Sequence, residues 1–322
     1  PVAAAPSAAP SVAASHKPVS VGDYIYRAQD NFYQRSQAEA FGYQDVGNAE
    51  QRLYDIIRQS RDKSVFSDEL ASKATDWPSY YHLTSQRANL LRPFADKIAS
   101  GKVLELGAGC GAITRFLGEL GGEVVVVEGS PNRARIIGQR CAELQNVSVF
   151  CDLIQSYETE EKFDVVTLIG VLEYAQVYVK EPDPLLVLLQ KAKSFLKEDG
   201  MLIVAIENQL GLKYFNGAPE DHMGQAMYGI NDSYSTTSPI TFGRVELDAL
   251  IRSAGFETTE LYVPLPDYKT PVTVIYPEGF NPAHKAAGWD VGALAAGSIV
   301  HDRQSPRHPT FSLESAWQVI AR

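Results

Sequence analysis

Val103-Leu-Glu-Leu-Gly-Ala-Gly-Cys-Gly111 is the stretch of sequence that decides the fold. A short apolar run containing one acid ends in three glycines at alternate positions, 107, 109 and 111. Glycine takes positive φ angles without strain and lets a ligand approach the main chain. Apolar residues then recur at helical spacing, as Ile113, Phe116, Leu117 and Leu120. The stretch predicts a strand that turns sharply into a helix whose unpaired N–H groups face a ligand.

Strand and helix signals alternate after this turn. Apolar runs predict strands at 103–106, 124–127, 147–150, 163–169 and 201–206, with two last strands at 256–263 and 272–276. Helical spacing predicts helices at 185–196 and 244–254. Alternation of this kind is typical of an α/β fold with a mostly parallel sheet and helices on both faces.

The chain divides into four segments by composition. Residues 1–22, which are rich in Ala, Pro and Ser, predict a flexible linker. Residues 23–100 carry apolar helical stripes and predict an N-terminal helical cover. Residues 101–280 are the predicted core, in which the long polar segment 208–242 is interpreted as a lid. Residues 281–322 are a C-terminal extension with a helical-looking end, and we expect the chain to be one module of a longer protein.

Charge and cysteine content limit the possible partners and the compartment. The 29 basic and 39 acidic residues give a net charge of −10, which argues against nucleic acid and against anionic membrane. Cys110, Cys141 and Cys151 have neither zinc-site spacing nor the density of a disulfide framework, so a reducing cytoplasm is expected. No apolar run approaches the roughly 20 residues that span a bilayer, so no transmembrane segment is predicted.

Two cofactor classes use such a glycine turn. Gly107, Gly109, Ala112 and Glu128 satisfy the dinucleotide pattern, in which a pyrophosphate lies on the helix N-terminus. Glu105 precedes the first glycine by two residues, where an acid meets a positively charged ligand group but repels a pyrophosphate. A nicotinamide-dependent oxidoreductase therefore remains an alternative, and a cationic cofactor is favoured.

The turn, Glu128, Asp152 and the segment from Phe163 to Glu173 together resemble the class I S-adenosylmethionine (SAM)-dependent methyltransferases. The resemblance implies a Rossmann-like sheet of seven strands, the last of them antiparallel, and SAM as cofactor. It places the glycines under the methionine part, Glu128 on the ribose hydroxyls and Asp152 on the adenine amine. The cofactor residues it implies are Glu105, Gly107, Ala108, Gly109, Gly111, Glu128, Gly129, Asp152, Gly170 and Glu173.

A second resemblance concerns the acceptor. Tyr81–Leu91, Ile206–Phe215, Pro219–His222 and Pro266–Lys269 look like methyltransferase modules attached to bacterial surface-polysaccharide glycosyltransferases. It implies O-methylation of a sugar in a polysaccharide or lipopolysaccharide, a covalently attached glycosyltransferase, and a cytoplasmic location at the inner face of the membrane. The alternatives are a small-molecule or natural-product O- or N-methyltransferase and a non-catalytic cofactor-binding module.

A sugar hydroxyl is a very weak acid, so its methylation benefits from a general base. His222, beside two acids in the lid, is the first candidate, and His82 is the second. No metal site is predicted, although Glu207, Glu173 and Asp267 suit either sugar hydroxyls or a divalent ion. The predicted substrate-binding residues are Tyr81, Glu207, Asn208, Tyr214, Tyr228, Asp267 and Tyr268. The alternative for the tyrosines is structural packing with a wet hydroxyl.

Overall fold

The computed structural model describes residues 20–36, 48–280 and 316–322. Its strands are β1 (Ser20–Val21), β2 (Tyr24–Arg27), β3 (Phe32–Arg35), β4 (Lys102–Leu106), β5 (Glu123–Glu128), β6 (Val147–Cys151), β7 (Phe163–Ile169), β8 (Leu196–Glu207), β9 (Thr259–Leu265), β10 (Thr273–Ile275) and β11 (Ala316–Ala321). These eleven strands form one sheet in the order β1-β2-β3-β6-β5-β4-β7-β8-β11-β9-β10. The run from β3 to β8 is parallel throughout, and every other pairing is antiparallel.

The described residues contain ten α-helices. They are α1 (Ala49–Gln59), α2 (Asp68–Ala71), α3 (Trp77–Leu83), α4 (Ala95–Ala99), α5 (Ala112–Leu120), α6 (Pro131–Arg140), α7 (Ala175–Tyr178), α8 (Pro184–Ser194), α9 (Leu212–Phe215) and α10 (Arg244–Ser253). Short 3₁₀ helices lie at Ser85–Leu90, Arg92–Phe94, Leu172–Tyr174 and Pro277–Phe280. No helix among the described residues combines the length and apolarity needed to cross a bilayer.

The predicted α/β class is confirmed, but the sheet is mixed, with parallel pairing from β3 to β8 and antiparallel pairing at both sides of that run. The predicted number of seven strands is wrong. In the described residues β1, β2 and β3 extend one edge of the sheet, and β10 extends the other. The predicted helical cover over 23–100 is also wrong in its first part, because residues 24–35 form two strands rather than a helix. Alternating aromatic residues and a turn with Asn31 at φ 55° favour this hairpin.

The last strand lies where the sequence predicted an extension with a helical end. β11 is inserted between β8 and β9 and is antiparallel to both. The predicted strand at 272–276 instead forms β10 at the edge. The short, mostly apolar run Ala316–Ala321 has no strand-specific periodicity, so its sequence fits a helix as well as a strand.

The functional end of the sheet follows from the strand order. β4 is buried on both faces, and Val103, Leu104 and Leu106 have no exposed surface. Sequential strands proceed from β4 through β5 to β6 on one side, whereas β7 and β8 continue on the other. The carboxyl ends of β4 and β7 therefore border a crevice at a topological switch point, where open α/β sheets bind ligands.

Candidate active site

A cavity of about 440 Å³ lies at this switch point. Its wall contains twelve of the residues predicted for the site, which are Tyr81, His82, Gly107, Ala108, Gly109, Glu128, Gly129, Gly170, Glu173, Glu207, His222 and Tyr268. Seven predicted residues do not line it, namely Glu105, Gly111, Asp152, Asn208, Tyr214, Tyr228 and Asp267. The fold thus brings the glycine turn and both candidate histidines to one cavity.

The glycine turn has the geometry that its sequence predicts. Gly107, Gly109 and Gly111 have φ angles of 76°, 58° and 75°, in the left-handed region that favours glycine. A Cβ on Gly107 would lie 2.6 Å from Val171 Cγ2. A Cβ on Gly109 would meet only His82 Cε1, at 3.9 Å, so this side of the turn is open to the cavity. A cofactor can therefore contact the main chain of the turn closely.

Glu128 lies at the end of β5 and holds the turn in place. Its Oε2 accepts a hydrogen bond from the Gly109 amide at 2.8 Å, and its Oε1 accepts one from the Ser130 amide at 2.9 Å. Burial raises the pKa of this carboxyl. Each carboxylate oxygen accepts more than one hydrogen bond, so Glu128 retains acceptor capacity for cofactor hydroxyls.

Glu105 lies beneath the turn rather than in the cavity wall. It is 3% exposed, and its carboxylate accepts a hydrogen bond from the Thr114 hydroxyl at 2.6 Å. Burial raises its pKa to about 8. Gly111, the N-cap of α5, is likewise buried away from the cavity, because a Cβ there would lie 3.1 Å from Ile137.

Asp152 departs from the role that the resemblance implies. Its Oδ2 accepts hydrogen bonds from the Tyr24 hydroxyl at 2.5 Å and from Arg35 at 2.8 Å, and its Oδ1 accepts one from the Leu153 amide at 2.9 Å. The carboxylate therefore faces the N-terminal hairpin and not the cavity. Leu153, Ile154 and Gln155 line the cavity in its place.

His222 and Glu207 form an ion pair in the wall of the same cavity. His222 Nε2 lies 3.3 Å from Glu207 Oε2, and Lys269 contacts Glu207 Oε1. Burial alone would lower the pKa of His222, but the charge and hydrogen bond of Glu207, with the charges of Glu173 and Glu220, together outweigh it and raise the pKa to about 9. Burial would raise the pKa of Glu207, but Lys269 and His222 hold it well below its usual range.

His222 Nδ1 lies 3.1 Å from the Tyr174 hydroxyl, which also lines the cavity. A neutral imidazole that donates from Nε2 to Glu207 has a free lone pair on Nδ1. This nitrogen faces Tyr174, so the pair can accept a proton at the cavity surface.

Glu173 lies next to the His222–Glu207 pair and has one carboxylate oxygen without a hydrogen bond. The side chain is 1% exposed, and its Oε2 has no hydrogen-bond partner among the described residues. Burial, together with the negative charge of Glu207, raises its pKa to about 8. A buried polar atom without a partner is costly unless a ligand supplies one.

Glu173, Glu207 and His222 also have the spacing of a metal site. One ligand atom from each lies within 4.8 Å of the others. However, Lys269 contacts one oxygen of Glu207 and His222 is next to the other, so the carboxylate charge is already compensated. The arrangement therefore favours proton transfer over tight cation binding.

His82, the second candidate base, lies beside Gly109. Burial lowers its pKa well below the usual value, and the cations Arg133 and Arg87 lower it further. It is therefore a neutral imidazole near the glycine turn.

The remaining predicted substrate residues have structural partners. Tyr214 donates a hydrogen bond to Asp221 at 2.5 Å, and the Tyr228 ring packs edge-on against Tyr234. Asn208 Oδ1 accepts a hydrogen bond from the Leu210 amide. Asp267 lies 3.3 Å from Lys213. These contacts support the alternative of structural packing for the two tyrosines.

Several cavity residues are absent from the sequence-based site. Lys269 is the counter-ion of Glu207, and Arg87 stacks on the Tyr81 ring at 4.2 Å. Trp77 and Asp221 also line the cavity. An isolated Lys, Arg or Asp in a loop carries no periodic signal, and only proximity to Tyr268 and His222 in the sequence points to Lys269 and Asp221.

Comparison with known proteins shows what this part of the chain is similar to. Residues 104–202 match a family model described as a methyltransferase domain. (S)-Coclaurine N-methyltransferase of Papaver somniferum is 33% identical over 106 residues, which are 32% of this chain and 28% of that protein. Ubiquinone biosynthesis O-methyltransferase of Glaesserella parasuis is 31% identical over 121 residues, which are 35% of this chain and 48% of that protein. Each match therefore spans less than half of the relative.

Among solved structures, the CcbJ methyltransferase from Streptomyces caelestis aligns with a TM-score of 0.47 and 17% identity, over 81% of this chain and 98% of that one. The family match supports the predicted class, a SAM-dependent methyltransferase, for residues 104–202, and with it the predicted cofactor. The glycine turn and Glu128 fit SAM, because the cavity offers an open main chain at Gly109 and a carboxylate with spare acceptor capacity.

Proposed function

We propose that the protein transfers the methyl group of SAM to a hydroxyl of a sugar-containing acceptor. One observation carries the proposal: a single cavity contains both the glycine turn with Glu128 and the His222–Glu207 pair. The cavity would then hold both the methyl donor, bound at the turn, and the group that takes the proton of the acceptor hydroxyl.

In the proposed reaction the acceptor oxygen attacks the methyl carbon as the carbon–sulfur bond breaks, and S-adenosylhomocysteine (SAH) leaves. The hydroxyl proton passes to His222 Nδ1, directly or through the Tyr174 hydroxyl 3.1 Å away. Glu207 orients the imidazole and stabilises the imidazolium that forms. The positive sulfonium lowers the pKa of the nearby imidazolium, which favours the neutral base before transfer.

The cavity wall supports a carbohydrate acceptor. Trp77, Tyr81, Tyr174 and Tyr178 present aromatic side chains to the cavity, and Trp77 is 57% exposed. Sugar C–H faces pack on such rings, and the unpartnered Oε2 of Glu173 can bond a sugar hydroxyl. We propose that this carboxyl fixes which hydroxyl faces the base.

Labelled-methyl transfer to sugar nucleotides and to polysaccharide precursors tests the proposal. His222→Ala should reduce turnover by roughly 10²–10⁴-fold, the usual contribution of a general base. Activity that survives in this variant would remove the base assignment. Loss of activity with a chelator, restored by a divalent ion, would instead assign His222, Glu207 and Glu173 to a metal site.

The second candidate is methylation of a small molecule at oxygen or nitrogen, since the relatives include one enzyme of each kind. An amine panel in the same assay separates the two candidates, because preferential transfer to an amine would exclude the sugar. SAH binding without transfer to any acceptor would favour a non-catalytic cofactor-binding module.

By the resemblance of its acceptor-side segments, we also propose that the domain works beside an attached glycosyltransferase, in the cytoplasm at the inner face of the membrane. Intact mass and cell fractionation of the native product test both points. A native product of about the length of this chain, found away from the membrane, would contradict them.

A further inference from the structure

The N-terminal hairpin of β2 and β3 is joined to the cofactor side of the cavity by a partly buried ion pair. The side chains of Arg35 and Asp152 are 22% and 3% exposed, and their charged atoms are 2.8 Å apart. The Tyr24 hydroxyl donates to the same carboxylate at 2.5 Å. Both Tyr24 and Arg35 belong to the hairpin, whereas Asp152 follows the last residue of β6.

Arg35 also contacts the far end of the loop that follows Asp152. Its Nη2 donates to the Ser156 carbonyl at 2.5 Å, while Asp152 itself accepts from the Leu153 amide at 2.9 Å. One guanidinium therefore holds both ends of the segment 152–156. The residues between these ends, Leu153–Gln155, form part of the cavity wall.

The hairpin itself is anchored by packing and by backbone pairing. The Tyr33 ring stacks on Phe150 with centroids 5.1 Å apart, and the Tyr24 ring meets Phe150 edge-on at the same distance. Tyr33 and Gln34 pair with Phe150 and Cys151 as parallel strands. The position of Arg35 relative to the loop is therefore fixed by β6.

We infer that Arg35 is a positioning residue for cofactor binding, which acts through Asp152 to hold the loop 153–155 against the cofactor. Asp152 then serves as the anchor of this loop and not as a ligand of the adenine amine. The inference rests on SAM binding in the cavity, and SAH binding to the unaltered protein tests that assumption separately.

Calorimetry with SAH on Arg35→Ala, Asp152→Ala and the double variant tests the inference. Each single variant should weaken SAH binding about tenfold, as expected when a hydrogen bond to a charged group that orders the loop is lost. The double variant should bind no more weakly than either single variant, because both remove the same link. Arg27→Ala, which removes an exposed contact to Gln34 in the same hairpin, is the matched control and should bind SAH normally.

Two further measurements separate positioning from general loss of structure. Tyr24→Phe removes one hydrogen bond to Asp152 without removing the ring, so it should weaken SAH binding less while keeping the hairpin. Hydrogen exchange at the amides of 153–157 should accelerate in Arg35→Ala and not in Arg27→Ala. Unchanged SAH affinity in Arg35→Ala, or unchanged exchange in this loop, would overturn the inference.

S-inosylhomocysteine, which lacks the exocyclic amine, distinguishes the anchor from a direct adenine contact. If Asp152 is an anchor, Asp152→Ala should weaken SAH and the inosine analogue by the same factor. A much larger loss for SAH, together with a near-normal Arg35→Ala, would show that Asp152 binds the amine and would refute the inference.

Discussion

Replacing Glu207 by Gln should convert His222 from a cation into a neutral imidazole near neutral pH. The pKa of His222 is raised from 6.5 to about 9, although burial acts in the opposite direction. This difference corresponds to about 3 kcal/mol, since each pKa unit is worth roughly 1.4 kcal/mol. Glu207 is the main source of the raised pKa, so its neutral isostere should return the pKa of His222 to 6.5 or below.

The sign of the effect on catalysis follows from the base role. In the unaltered protein the free base forms as the pH rises towards 9, so the rate should increase over the same range. In Glu207→Gln the rise should occur at least about two pH units lower, since the raising charge is gone. Maximal turnover should nevertheless fall, because Gln stabilises the imidazolium less well than a carboxylate does.

Titration of the His222 ring by NMR measures this pKa without any acceptor. Glu123→Gln is the control, because the Glu123 side chain is 61% exposed and pairs with Lys102 at the amino-terminal ends of β4 and β5. A pKa of His222 that stays within one unit of 9 in Glu207→Gln would refute the reasoning. An unchanged pH–rate profile despite the lowered pKa would show that another group is the base.

Three further outcomes are expected. Gly109→Ala should weaken SAH binding because its Cβ enters the open side of the turn, whereas Gly121→Ala, with φ 95° and no atom within 4 Å, should add backbone strain alone and bind SAH normally. Lys269→Met should lower the free energy of unfolding by roughly 3–5 kcal/mol, because it leaves the buried Glu207 carboxylate without its cation. The control is Lys197→Met, since the Lys197 side chain is 44% exposed. It should change the free energy of unfolding by less than about 1 kcal/mol in the same denaturation series. The pKa of Glu105 rises from 4.5 to about 8 on folding, so the unfolded state loses this proton at lower pH than the folded state. The free energy of unfolding should therefore decrease as the pH rises between those values. In Glu105→Gln the free energy of unfolding, measured by denaturation at pH 6 and at pH 9, should fall less between the two pH values. An equal fall in both proteins would contradict this.

The parallel core and the glycine turn could be predicted from the sequence because their signals are local. Val103–Leu106 is apolar and ends in glycines, and the three φ angles of 58–76° are those that glycine alone adopts easily. The same local reasoning placed Glu128 and Gly170 at strand ends, where the carboxyl edge of a parallel sheet collects its ligands. Glu128 and Gly170 line one cavity in the structure.

Tertiary structure alone decided the edges of the sheet and the charge state of the site. Ala316–Ala321 is a strand because it pairs with β8 and β9. Its own apolar pattern does not distinguish a strand from a helix. Asp152 follows a predicted strand as expected, but its carboxylate accepts hydrogen bonds from Tyr24 and Arg35 of the N-terminal hairpin, about 120 residues away in sequence. His222 becomes strongly basic only because folding brings Glu207 within 3.3 Å of it in a buried cavity, where charges interact more strongly than in water.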